Sequence, residues 1–228
     1  MQPTKHVPTS TSVQQAEPGA YRVIPHNDPS KTPIYLTPLA YSDAIDLVNV
    51  INQQADSALL DNVRSFHVPF TLADAHTYIS KYHQVTVLGG RFFSVRLGSP
   101  TAPIVGGYGW IAKALPRDGI SPLGACPYIE WAIGAWVVSA VRDQGIVAKC
   151  VSETMRRASD DGRVARVVAD CFVENIASRR VLKKCGFQME GVVRGAAVKE
   201  GRLRDNCQLA WNPPVWAGPG GEMVKARL

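Results

Sequence analysis

The chain has 228 residues, 46% of them hydrophobic and 19% charged, with a formal net charge of +6. That make-up supports one sizeable buried core and excludes fibrous and intrinsically disordered classes. The basic excess is compatible with nucleic acid, a membrane surface or an anionic cofactor, but it is concentrated between Arg142 and Arg204 with no run of five like charges, so no nucleic-acid partner is expected.

Residues 1–33 are rich in Pro, Ser, Thr and Gln without apolar periodicity and read as a flexible extension. The fold is expected to start at Ile34, with a strand through Leu39, a cap at Ser42-Asp43, and a helix burying Ala44, Leu47, Val48 and Ile51. Val68-Pro69-Phe70-Thr71 reads as a turn into a second helix that buries Ala75, Tyr78, Ile79 and Tyr82. Strands follow over residues 91–97, 104–111 and 128–138, with a Pro/Gly/Ser-rich loop at 113–127. A helix over 146–159 closing at Gly162, a strand over 166–173, a short helix over 175–185 and two strands flanking the turn Lys199-Glu200-Gly201-Arg202 complete the pattern. Residues 213–228 read as a tail. The fold class is α/β (α+β), with a largely antiparallel front half.

The N-terminus lacks the charged-then-apolar layout of a secretory signal and no apolar run approaches membrane-spanning length, so a cytoplasmic protein without a membrane partner is expected, monomeric or homodimeric. Cys126, Cys150, Cys171, Cys185 and Cys207 are odd in number and form no CxxC pair, which predicts reduced, mostly buried thiols and no metal.

The strongest local signal is Arg142-Asp143-Gln144-Gly145 between a long strand and a helix. Helix-start amides are unpaired and sit at the positive end of the helix dipole, so a turn that gathers several of them binds phosphate. Taken alone, such a turn is more often a plain loop, and neither GxGxxG nor GxxxxGK[ST] is present. In context it resembles the pyrophosphate loop of the GNAT acetyltransferase superfamily, Gln/Arg-x-x-Gly-x-Gly/Ala, with Arg142 and Gly145 matching and Val147 departing. Asn175-Ile-Ala-Ser178 followed by Gly186-Phe187 is similar to the second cofactor motif of that family. Thr37-Pro38-Leu39, Pro69-Phe70-Thr71, Ile133-Gly134-Ala135-Trp136, Glu190-Gly191, Arg194 and Asp205 extend the resemblance from Ile34 to Trp211, closest to the RimJ/RimL-like branch that acetylates ribosomal-protein N-termini and assorted amines.

The resemblance implies a GNAT fold over residues 34–212, a mostly antiparallel sheet splayed where acetyl-CoA is held and flanked by helices. It implies a transfer of acetyl to an amine, either a peptide N-terminus or a small molecule. Cofactor contacts are expected from the Val137 and Val138 amides at a strand bulge, from Arg142, Asp143, Gln144, Gly145, Ile146 and Val147, and from Asn175, Ser178 and Arg179. Arg142, Lys149, Arg179, Lys183 and Lys184 offer charge, though each also reads as a solvated helix face. Asn175 reads as a pantetheine ligand and as a helix N-cap, roles that are compatible. Relatives place Tyr where this chain has Leu182, so Ser178 is the expected proton donor to the leaving thiolate, with a purely local helix role as its alternative. Glu130 is the candidate base, with a structural ion pair as its alternative, and His67, Phe70 and Trp136 are candidate walls for the acceptor. The altered Val147 and Leu182 also fit a rival reading, a protein of this fold that binds acyl-CoA without turnover.

Overall fold

The computed structural model describes residues 22–24, 31–83, 89–115, 128–217 and 223–225. Most of the expected N-terminal extension, the 113–127 loop from residue 116 onward, and Cys126 lie outside the described residues.

Strand β1 (Arg22–Ile24) lies within the expected extension and pairs with β2 (Ile34–Pro38), opening the sheet. Helix α1 (Ala44–Gln54) follows, and Asp43 stands at its N-cap position without the expected side-chain cap, because its carboxylate is taken by the Ala40 N–H, Ser94 and Arg96. A short helix α2 (Ser57–Asn62), which the periodicity did not announce, starts because the Asp56 carboxylate accepts the Leu59 N–H at 2.9 Å. Helix α3 (Leu72–His83) is entered through a reciprocal cap in which Thr71 Oγ1 accepts from the Asp74 N–H and the Asp74 carboxylate accepts from the Thr71 N–H.

The rest of the described chain supplies β3 (Arg91–Leu97), β4 (Gly106–Ala114), β5 (Ile129–Val137), α4 (Ile146–Asp160), β6 (Val164–Phe172), α5 (Ile176–Lys184), β7 (Gln188–Lys199) and β8 (Arg202–Trp211). The β7–β8 hairpin turns on Glu200 and Gly201, both at positive φ, which suits a two-residue primed turn. In the expected tail, β9 (Val215–Ala217) and β10 (Met223–Lys225) pair separately from the main sheet.

The main sheet has eight strands in the order β1-β2-β3-β4-β5-β6-β8-β7. All neighbours are antiparallel except β5 and β6. Alternation along the strands gives the sheet two apolar faces. On one, Tyr108 reaches α4 by donating its hydroxyl to Thr154 Oγ1 at 2.6 Å. On the other, α1 and α3 bury Leu47, Val50, Ile51, Ala75, Tyr78 and Ile79, each large side chain contributing about 1.5–3 kcal/mol of transfer free energy. Gly107 lets Trp136 lie flat against β4, because a Cβ there would stand 2.3 Å from the indole Nε1.

The α1 face also buries an ion pair. Asp43 accepts from Arg96 at 2.7 Å and from Ser94 Oγ at 2.7 Å, and Arg96 donates in addition to Thr37 Oγ1 at 3.1 Å. With both partners hydrogen-bonded the charges are satisfied, and truncating either would strand the other.

Candidate active site

The register of β5 and β6 creates the central feature of the site. They pair from Ile129↔Val164 to Ile133↔Ala169 and no further, although β5 continues to Val137 and β6 to Phe172. Past that rung β5 remains bonded to β4 through Gly106↔Val137, while β6 remains bonded to β8. A gap therefore opens between the two strands.

Strand alternation shows which amides face it. The Ile129 N–H donates across to Arg163 O at 2.8 Å, so the odd-numbered amides of β5 point toward β6. Ala135 and Val137 lie beyond the last shared rung, and their N–H groups face the gap. The expectation for Val138 is corrected: no bulge interrupts the β4–β5 register, and the Val138 N–H is spent on Val105 O at 2.9 Å.

At the mouth of the gap the chain makes a 3-10 turn at Ser139–Val141 and passes through Asp143 at φ 60° to Gly145 at φ 75°, the N-cap of α4. Gly145 accommodates the left-handed backbone, and a Cβ at that position would meet nothing within 4 Å. The first helical bond is Lys149 N–H to Gly145 O, so the amides of Ile146, Val147 and Ala148 begin the helix without intrahelical acceptors. No side chain caps them and no acidic residue occupies the first turn. Asp143, Gln144 and Gly145 are exposed beside them, while Ile146 buries its side chain and Val147 packs half-buried against the core.

Arg142 departs from its expected role. Its guanidinium forms a fork with the Asp56 carboxylate at 2.5 and 2.7 Å, and its backbone N–H is taken by Ser139 O. The Arg142 hydrogen bond holds the Asp56 carboxyl below the usual range, and Asp56 raises Arg142 in return. Arg142 thus ties the glycine turn to the cap of α2, and sequence spacing missed this because the partner lies 86 positions away. The Asp56-Ser57 pair ahead of Leu59-Leu60 was the available signal for that helix start.

Across the gap, Asn175 caps α5 by accepting the Ser178 N–H at 3.0 Å, which leaves its Nδ2 uncommitted to the helix. Ser178 is half-buried, and its hydroxyl has no partner among the described residues. Arg179 turns back to donate to Val173 O at 3.0 Å and fixes the end of β6. Leu182 is buried in the core, as an apolar residue at that position should be.

A splayed parallel pair, with helix-start amides at its mouth and an Asn-capped helix on its far strand, is the geometry that the sequence motifs anticipated. The acetyltransferase (GNAT) domain family matches residues 34–188, over half of the chain. The chain belongs to the GNAT acetyltransferase family.

Solved structures of similar fold include the microcin C7 self-immunity acetyltransferase MccE in complex with acetyl-CoA and AMP, 20% identical, TM-score 0.64, covering 80% of this chain and 93% of that one. The acetyltransferase that modifies the N-terminal serine of ribosomal protein L7/L12 in Salmonella typhimurium is 17% identical, with TM-score 0.63 and coverage of 84% and 99%. The ribosomal-protein-S5-alanine acetyltransferase of Vibrio fischeri is also 17% identical, with TM-score 0.62 and coverage of 80% and 94%. These likenesses agree with the RimJ/RimL-like resemblance, and no curated protein matches the chain by sequence.

The residues expected to wall the acceptor lie on the α1–α3 face of the sheet. Lys199, from the β7–β8 turn, donates to Phe66 O at 2.6 Å and Val63 O at 3.2 Å, pinning the 63–70 loop over the sheet. Burial pushes its ammonium pKa down. The loop carries His67, which is exposed and 3.5 Å from Asp74. Phe70 and Trp136 are not wall residues: both side chains are buried at 2% and 7% exposure, packed around Phe66. The Trp136 indole donates to the Tyr78 hydroxyl at 3.1 Å, and the adjoining cavity of about 10 Å³ is too small for an acceptor.

Glu130 is not brought to the gap either. It sits seven residues before Val137, roughly 20 Å along the strand, with Arg166 beside it at 3.4 Å. Arg166 also pairs with Glu190, so the ion-pair alternative describes Glu130.

The described thiols are unsuited to carrying an acyl group. Burial pushes Cys150 up to about 12, and burial aided by neighbouring Cys207 pushes Cys171 up to about 11. Burial raises Cys185 as well, and Cys207 is 1% exposed. A thiolate nucleophile needs the opposite environment.

Proposed function

We propose that this GNAT protein transfers the acetyl group of acetyl-CoA directly to a primary amine, with a peptide N-terminus as the best-supported acceptor. The observation that carries the reading is the β5–β6 gap with amides facing it from one side and the Ser178 hydroxyl on the helix that closes the other. The residues present fit coenzyme A: the amides of Ile146, Val147 and Ala148 and the left-handed turn at Gly145 suit a diphosphate, and no carboxylate in the α4 first turn opposes it. The Asn175 Nδ2 and the gap-facing strand edge suit the amide groups of the pantetheine arm.

The cosubstrate supplies an activated thioester, and this chain supplies position and charge. In this reading the Ala135 and Val137 N–H groups, which face the gap, stabilise the carbonyl oxygen as it gains charge. The Ser178 hydroxyl, in the same reading, returns a proton to sulfur. Buried, high-pKa thiols support single-step attack over an acyl-enzyme. A peptide acceptor is supported by the small size of the cavity at Trp136, about 10 Å³ among the described residues, and by open space beside Gly134, where a Cβ would meet nothing within 4 Å. Neighbours of the same fold that act on ribosomal-protein N-termini point the same way.

Acetyl-CoA thiol release, measured over a panel of free-N-terminus peptides and small amines, tests the reading. Amine-dependent release with peptides preferred is expected. Coenzyme A binding without release on any amine would instead establish the non-catalytic reading.

A further inference from the structure

Strands β6 and β8 bring two cysteines face to face. Cys171 and Cys207 are direct partners in the antiparallel register, and both thiols are free. Directly opposed residues on paired strands point to the same face of the sheet. Asp170, one position before Cys171, is reached from the 63–70 loop by Arg64 at 2.5 Å, and Asn206, the neighbour of Cys207, meets it there at 2.7 Å. The two cysteines therefore occupy the opposite face, where both pack with the core. Cys171 is half-buried, whereas Cys207 is 1% exposed.

Two residues further on, the Val173 N–H donates to Asp205 O at 3.0 Å. Alternation then makes Cys171 and Cys207 a hydrogen-bonded pair, with Cα atoms about 5.5 Å apart. That separation lies inside the range a disulfide spans, roughly 4.4–6.8 Å. The Cβ atoms of such a pair stand about 4.5–5.5 Å apart and a disulfide brings them to roughly 3.5–4.5 Å, so bridging draws the strands together by about 1 Å. A bond that must be pulled closed is easily reduced again.

We propose that Cys171 and Cys207 form a reversible disulfide under peroxide, and that this bond loosens the coenzyme A site. The partly exposed Cys171 reacts first: its sulfur attacks one peroxide oxygen, the O–O bond breaks, a water leaves, and a sulfenic acid remains. The Cys207 sulfur then attacks the Cys171 sulfur, the S–S bond forms, the S–O bond breaks, and a second water leaves. Two thiols and one peroxide give one disulfide and two waters, with both sulfurs oxidised and both peroxide oxygens reduced. Cys207 needs no access to solvent, because its partner presents the oxidised sulfur to it. Burial and the neighbouring Cys207 and Asp170 hold the Cys171 pKa up against the pull of Arg179, so the response is slow and follows sustained oxidant.

The bond acts on the gap through β6. Strand β8 is held on its far side by β7, while β6 has no β5 partner beyond Ala169. The strand that yields is β6, which moves away from β5 at Cys171 and carries Asn175, four residues on. This effect on coenzyme A rests on the acetyltransferase reading above, and the disulfide itself does not.

The full chain, treated with hydrogen peroxide, is compared with dithiothreitol-reduced protein by intact mass, peptide mapping and calorimetric titration of coenzyme A. A loss of two hydrogens, a crosslinked Cys171–Cys207 peptide and reversal by dithiothreitol are expected, with a coenzyme A Kd raised about fivefold or more in the oxidised protein. Cys207→Ala should stop at a Cys171 sulfenic acid that dimedone traps. Cys171→Ser, at the partly exposed position, covers the case in which Cys207→Ala fails to fold; it should form no crosslink at Cys207 and keep its coenzyme A affinity through the same treatment. Cys171 driven to sulfinic acid without a link to Cys207 overturns the disulfide, as do thiols left unchanged by excess peroxide. A disulfide that leaves the Kd unchanged overturns its action on the gap. Reduced wild type that fails to bind coenzyme A would instead strike the acetyltransferase reading, and the mass measurement would still decide the disulfide.

Discussion

Gly145→Glu should remove coenzyme A binding without unfolding the protein. Two effects contribute and can be separated. Gly145 sits at φ 75°, so any side chain adds a backbone cost of about 1–2 kcal/mol, although its Cβ meets no atom within 4 Å. A glutamate also places a negative charge beside the amides of Ile146, Val147 and Ala148, where the diphosphate is expected. At ~6 Å and an effective dielectric near 20, each pair of like charges repels by about 3 kcal/mol, roughly a hundredfold in Kd. Gly145→Gln carries the same shape and strain without the charge. Calorimetric titration of coenzyme A into both variants should give a Kd for Gly145→Glu at least tenfold above that of Gly145→Gln, with the difference shrinking as salt rises. Thermal melts of the two free proteins should agree within a few degrees. A Gly145→Glu protein that binds like Gly145→Gln at low salt would refute the diphosphate site at α4.

Ser178→Ala should lower kcat and kcat/KM together by about a hundredfold with coenzyme A affinity unchanged, the pattern of a proton donor felt only in the transition state; single-turnover rates that stay near wild type would remove that role. Lys199→Met leaves the Phe66 and Val63 carbonyls without their ammonium and should cost about 1.5–3 kcal/mol in urea denaturation; an unchanged midpoint would show that the 63–70 loop does not need the anchor. Asp56 has a folded pKa below its ordinary value, so its contribution is present above the unfolded pKa and is lost as pH falls through the folded one. Wild type should therefore outlast Asp56→Asn near neutrality, and the difference should begin to narrow near the unfolded pKa of about 4 and vanish only below the lower folded pKa, as read by denaturation across that range.

How much of this was legible depends on whether backbone or side chain makes the contact. The cofactor side is built from amides, so its signature is positional: a glycine that tolerates left-handed backbone, an Asn that caps, an apolar strand before and an amphipathic helix after. Those features are local, and the sequence carried them at Gly145, Asn175 and helices α4 and α5. Local context misled where a charged side chain in a motif had a distant option. Arg142 left the turn for Asp56, and Glu130 and Arg166 met as opposite members of adjacent strands. No spacing rule within one element could report either pairing. Phe70 and Trp136 looked like walls because aromatic residues near a site serve as either wall or core, and only the packing around Phe66 distinguishes the two.

The cluster around Asp170 was least legible for the same reason. Asp170, Asn206 and Arg64 come from β6, β8 and the loop after α2, and each reads alone as an ordinary polar residue. They become a group because β5 and β6 part at Ile133↔Ala169, which leaves Asp170 next to the gap instead of beneath a paired strand. The same lost rungs that leave the Ala135 and Val137 amides facing the gap also leave Asp170 without a paired neighbour on β5. A change that restored pairing across the gap would be expected to remove coenzyme A binding, whereas loss of the Lys199 or Arg64 anchors of the 63–70 loop would leave the coenzyme A grip at α4 intact.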